Sequence, residues 1–225
     1  TGATPVASGP TFSAGTYTLS ESGGPAGYTA SLWSCTNGIT VTASQITLTP
    51  GQTTTCTITN DDVAASLTLV KTVINNNGGT KTVADFPLTA NGTGLNDITG
   101  VSGTPAVTNA VVNADTFTLS EVPQAGYTAS AWVCVGGTQV GNQITVANGA
   151  SATCTITNDD QAASLTLVKT VINNNGGTKV VADFPLTANG TGANDITGVS
   201  GTAAVTNAVV NADTFTLSEV PQAGY

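Results

Sequence analysis

The chain has no histidine, no arginine and no methionine, and only 8% of its 225 residues are charged. Each shortage removes a class of function. Without arginine there is no planar fork for phosphate, and the only cations are Lys71, Lys81, Lys169 and Lys179. With 13 acidic residues and a net charge of -9, the chain repels polyanions, which argues against nucleic-acid binding. With no histidine and only widely spaced cysteines, catalytic dyads and zinc sites have almost nothing to be built from, which argues against an enzyme. No apolar run approaches the roughly 20 residues that span a bilayer, so this window holds no transmembrane segment, and it shows no secretory signal.

What is abundant points the other way. A mean hydropathy of +0.16, with apolar residues in alternating runs, indicates a folded chain despite a pI near 4.1. The 43 threonines and 26 glycines favour pleated strands joined by tight turns.

The chain is also repetitive. Residues 63–127 recur at 161–225 with four differences in 65 positions, a period of 98 from Lys71 to Lys169. A more diverged copy opens the chain, where TYTLSESGGPAGYTASLWSC, ending at Cys35, matches TFTLSEVPQAGYTASAWVC, ending at Cys134. The expected organisation is the C-terminal part of a repeat (1–62), a complete repeat (63–160) and the N-terminal part of a third (161–225). Such a chain reads as a window on a longer array, or as a subunit whose half-domains are completed by identical neighbours in a filament. The short junctions DDVAAS and DDQAAS hold neighbouring repeats in a stiff row.

Within the complete repeat, SLTLVKTV, DFPLTANG, AVTNAVVN, TFTLSEV, YTASAWVCV, NQITVA and ATCTITN alternate with period two. They predict about seven strands, separated by turns at NNNGG, NGTG, SGT and VGGTQVGN. The fold class is all-β: tandem antiparallel β-sandwich domains of Ig-like or prealbumin-like architecture, arranged in a row.

Alternation also assigns faces. Leu67, Leu69, Lys71 and Val73 share one side; Phe117, Leu119 and Glu121 share another; Cys154, Ile156 and Asn158 share a third. Lysine, glutamate and asparagine thus converge on an apolar interior. Singly, each reads as a strand-end residue, with Lys71 snorkelling and Asn158 capping a turn. Together they suggest chemistry, because a buried charge is costly unless paired. Desolvation favours the uncharged forms, so a neutral amine can attack the asparagine carboxamide while a protonated acid polarises its carbonyl. Ammonia leaves and an isopeptide bond remains.

Lys71 in LVKTV, Glu121 in FTLSEVPQAGY and Asn158 in CTITNDD make the chain similar to the SpaA/CnaB-type prealbumin-like repeats of bacterial surface proteins and pilins. The resemblance covers essentially the whole chain and implies an autocatalytic Lys71–Asn158 crosslink with Glu121 as its catalyst. The first copy retains Glu21 and Asn60, and the last retains Lys169 and Glu219. Phe117 and Phe215 stand where the first copy has Tyr17, and PQAGY spaces its proline differently from GGPAGY.

One cysteine pair per repeat, Cys35 with Cys56 and Cys134 with Cys154, reads as intradomain disulfides and an extracellular or cell-surface location, against buried free thiols or metal ligands. Asp61, Asp62, Asp159 and Asp160 fall at the junctions, and Asp97 and Asp195 in loops. The junction acids read either as calcium ligands between repeats or as solvated turns, and no other cofactor is implied. Trp33 and Trp132 read as core residues packed on the disulfides or as a carbohydrate platform, and the NGT triplets at Asn91 and Asn189 as sequons or turns. The leading functional expectation is a structural extracellular fibre, filament or stalk, with neighbouring repeats or identical subunits as partners. The alternative is an adhesin gripping a glycan or host-matrix protein. Its loops would then be expected to differ between copies, yet GTGLNDITGVSGTP and GTGANDITGVSGTA barely do.

Overall fold

The computed structural model describes residues 4–9 and 12–225. The first copy contributes β1 (Gly15–Thr18), β2 (Tyr28–Ala30), β3 (Ser34–Cys35), β4 (Gln45–Leu48), β5 (Cys56–Thr57) and β6 (Asn60–Asp62), paired as β1–β4, β2–β6 and β3–β5. The middle copy contains β7 (Ala65–Ile74), β8 (Leu88–Asn91), β9 (Ile98–Gly100), β10 (Ala110–Val112), β11 (Asp115–Glu121), β12 (Tyr127–Ala129), β13 (Val133–Val135), β14 (Thr138–Val140), β15 (Gln143–Val146) and β16 (Ser151–Asp160). The last copy holds β17 (Ala163–Leu165), β18 (Leu186–Asn189), β19 (Ile196–Gly198), β20 (Ala208–Val210) and β21 (Thr216–Glu219).

The middle copy is a sandwich of two sheets. One runs β10-β7-β16-β12, with β13 also on β16; the other runs β14-β15-β11-β8-β9. Their inner faces are the alternate residues of each strand. Leu67, Leu69, Ala152, Cys154 and Ile156 from one sheet meet Leu88, Ala90, Phe117, Leu119, Ile144 and Val146 from the other, all buried. Burying each of the larger of these side chains contributes about 1.5–3 kcal/mol.

Among these pairings β7 and β16 are the exception to antiparallel order. They run parallel, from Ser66 beside Ser151 to Ile74 beside Asp159. The chain therefore enters the sandwich at one end and leaves at the other, which is the geometry a head-to-tail row requires.

Four local expectations are corrected. YTASAWVCV is two strands, because regular pairing with β16 breaks at Ser130: its N–H still donates to the Thr157 carbonyl (2.8 Å), but its hydroxyl instead of its carbonyl takes the Thr157 N–H (3.0 Å), and Trp132 turns inward. The stretch VGGTQVGN is not all turn, since after Gly136–Gly137 the chain returns as β14 along β15. NDITG supplies β9, an edge strand on β8. DFPLTANG becomes a strand only at Leu88, because Val83–Asp85 form a 3-10 turn and Pro87 has no N–H for a ladder.

Candidate functional site

The strand β7 carries Lys71 on its inner row, continuing Leu67 and Leu69, and fixes it further through the Lys71 N–H, which donates to the Ser102 hydroxyl (3.0 Å). The side chain is fully buried. Its Nζ donates to the carboxylate of Glu121, which reaches across from the end of β11 in the opposite sheet and is itself 9% exposed. The ammonium also sits 4.6 Å from the centre of the Phe86 ring. Burial pushes the Lys71 amine below its ordinary pKa, and the hydrogen bond and charge of Glu121 oppose that shift.

Asn158 lies on the parallel neighbour. Ile156 of β16 is beside Lys71 and Asn158 is beside Val73, so Asn158 is one inward step further along the adjacent strand. It is 2% exposed, and its Oδ1 accepts no hydrogen bond. A buried carbonyl without a donor is costly and calls for an explanation.

The partial copies show other pairings of the same three residues. In the first, the Asn60 Nδ2 donates to Glu21 Oε1 at 2.5 Å. In the last, Lys169 Nζ donates to Glu219 Oε2 at 2.5 Å and lies 4.5 Å from the Phe184 ring centre. The glutamate position therefore contacts the lysine position in two copies and the asparagine position in one.

The cysteines pair as Cys35–Cys56 and Cys134–Cys154, directly opposite each other on antiparallel strands with Cα atoms 4.0 Å apart. A closed loop of 20 residues stabilises a domain by about 3 kcal/mol on the chain-entropy account. Trp132 belongs to the same core cluster as Cys154, while Trp33 is half-buried. Asn91 and Asn189 end β8 and β18, exposed at the turns that follow.

The junction acids divide by orientation. Asp61, Asp62 and Asp159 are exposed, whereas Asp160 is buried and turned onto the 75–79 turn. Its carboxylate accepts N–H bonds from Asn76 (2.9 Å), Asn77 (2.9 Å) and Gly79 (2.6 Å). Burial disfavours this charge, but these donors outweigh it and hold its pKa below the usual carboxylate value. No group of three or more metal-ligating side chains occurs among the described residues.

Two partners escaped the sequence reading. Phe86 shares the inward row of Leu88 and Ala90 within DFPLTANG, but alternation alone does not say that its ring lies against Lys71. The Tyr127 hydroxyl accepts the Lys81 N–H (3.0 Å) and donates to Asn75 Oδ1 (2.5 Å), bridging segments too far apart for local pattern to connect.

The prealbumin-like fold domain of the SpaA type matches residues 1–58, 62–156 and 160–225, and the chain belongs to that family. Among solved structures it is similar to the major pilin protein of Streptococcus pyogenes, at 16% identity and a TM-score of 0.33, over 63% of this chain. The aligned region spans 65% of that pilin's length. No curated protein matches.

Proposed function

We propose that the chain is a force-carrying segment of an extracellular fibre or stalk at a bacterial cell surface, in which 63–160 is one complete repeat between a C-terminal part (1–62) and an N-terminal part (161–225). Each complete repeat is stapled by its disulfide and by a Lys–Asn isopeptide bond. The observation that carries this reading is the shared glutamate: Glu121 contacts Lys71, while its counterpart Glu21 contacts Asn60. A carboxyl group that reaches both reactants can move a proton between them.

The chemistry balances within the chain. The uncharged Lys71 amine attacks Cγ of Asn158, and Glu121 as the acid donates to Oδ1, the orphaned acceptor. Nζ passes one proton to Glu121, which gives one proton to the departing NH2; Cγ–Nδ2 then breaks, Oδ1 returns its proton to Glu121 as the carbonyl re-forms, and ammonia leaves. The new Nζ–Cγ bond joins β7 to β16, the first and last strands of the repeat. Because those strands run parallel, tension between entry and exit shears them past one another, and a covalent tie between them takes that load.

Stretching the whole chain by its ends under reducing conditions tests the role. The fully extended length is expected to fall short of that of an unlinked chain by the segment between Lys71 and Asn158. Lys71→Ala should restore the missing length. A wild-type chain that pulls out to its full length at low force would end the proposal.

A further inference from the structure

The two ends of the middle sandwich carry different surfaces. At the exit end stand the 75–79 turn, Gly126 and Asp160, held together because Asp160 binds that turn and pairs with Tyr127. At the entry end stand the turns on either side of the Asp115–Val146 pair, one between β10 and β11 and one at 147–149.

Each junction displays part of one pattern. At the first, Val63 donates its N–H to the Gly27 carbonyl (2.8 Å) and accepts the Gly149 N–H (2.7 Å). A Cβ on Gly27 would run into Asn148. At the second, Gln161 donates to the Gly126 carbonyl (2.8 Å), and Ala212 of the last copy donates to the Asn77 carbonyl (2.8 Å). A Cβ on Gly78 would run into Ala212. Gly27 and Gly126 both precede the tyrosine of their AGY segments, Val63 and Gln161 are each the first residue of a copy, and Ala212 is the counterpart of Ala114 in the turn between β10 and β11.

We infer that successive copies dock through a single composite interface, exit end onto entry end, in which the 75–79 turn and the AGY glycine of one copy close against the 112–114 and 147–149 turns of the next. The partner of this surface is a further copy of the same repeat, held in one orientation. Asp160 is its positioning residue: by holding the N–H groups of Asn76, Asn77 and Gly79, it leaves the Asn77 carbonyl directed at the next copy. The inference is independent of the crosslink, since none of these contacts involves Lys71 or Asn158.

The repeats supply their own controls. Gly176 and Gly224, which lie at neither junction, share the positive φ of Gly27 and Gly78, between +82° and +86°, yet a Cβ on either meets nothing within 4 Å. Gly176→Ala and Gly224→Ala thus impose the same backbone strain without the junction clash. Spin labels on side chains at the exposed positions 32 and 95 report the first junction, and labels at 95 and 209 the second. In the 225-residue chain each pair is expected to give one narrow distance distribution. Gly27→Ala should broaden or shift the first and Gly78→Ala the second, while Gly176→Ala and Gly224→Ala leave both narrow. A broad wild-type distribution would overturn the inference even if a variant failed to fold. So would unchanged distances in Gly27→Ala and Gly78→Ala, or equal broadening by all four variants.

Discussion

Asp115 organises the loop after β8 much as Asp160 organises the turn after β7. Its carboxylate accepts the Thr93 N–H (2.6 Å), the Asn96 carboxamide (3.1 Å) and the Thr93 hydroxyl (2.9 Å), which lower its pKa from 3.8 to about 2. A depressed folded-state pKa stabilises the fold above the unfolded value, and that stability is lost as pH falls through the folded value. Acid titration of the folded chain is therefore expected to show a loss of stability between about pH 4 and pH 2 that Asp115→Asn reduces, read by denaturant unfolding at each pH. Equal acid sensitivity in the variant would remove Asp115 from this role. The donors around Asp115 come from a loop 19–22 residues away. Sequence pattern marks NGTG as a turn but not which acid fastens it. The same limit hid Asp160, whose partners are 81–84 residues distant. By contrast, the inward orientation of Lys71, Glu121 and Asn158 follows from alternation within their own strands and was legible without tertiary information.

At the scale of strands, β7 and β16 owe their order to each other. β7 lies between β10 and β16, so both its edges are paired. The last copy repeats the sequence SLTLVKTV, but only Ala163–Leu165 is strand there, paired with β20 alone. Val168 and Ile172 are 75% and 71% exposed, while Ile74, the counterpart of Ile172, is 39% exposed. One sequence thus takes two states according to whether its parallel neighbour is present. Amide exchange followed by NMR, which separates identical segments, is expected to find residues 70–73 slow and 168–171 fast. Similar rates would show that β7 does not depend on β16. This dependence also explains which elements the sequence conceals. Long alternating strands such as β7, β11 and β16 declare themselves, whereas β9 and β14 are short edge strands that exist only because β8 and β15 offer them a ladder. The break at Ser130–Trp132 likewise arises from a hydroxyl on another strand's backbone.

For the whole molecule, the parallel first and last strands set entry and exit at opposite ends, and the contacts at both junctions fit copies stacked in the same sense. A row of this kind would carry tension only as well as its weakest repeat, and the proposed safeguard is the buried lysine, glutamate and asparagine. The decisive measurement is the intact mass of the chain after denaturation and complete reduction. The expected mass lies below that of the sequence by one ammonia, with the loss located in a peptide joining Lys71 to Asn158, and no such loss in Lys71→Ala or Glu121→Ala. A wild-type mass equal to that of the sequence would contradict the proposal, leaving Lys71 and Glu121 as a buried ion pair and the disulfide as the repeat's only staple.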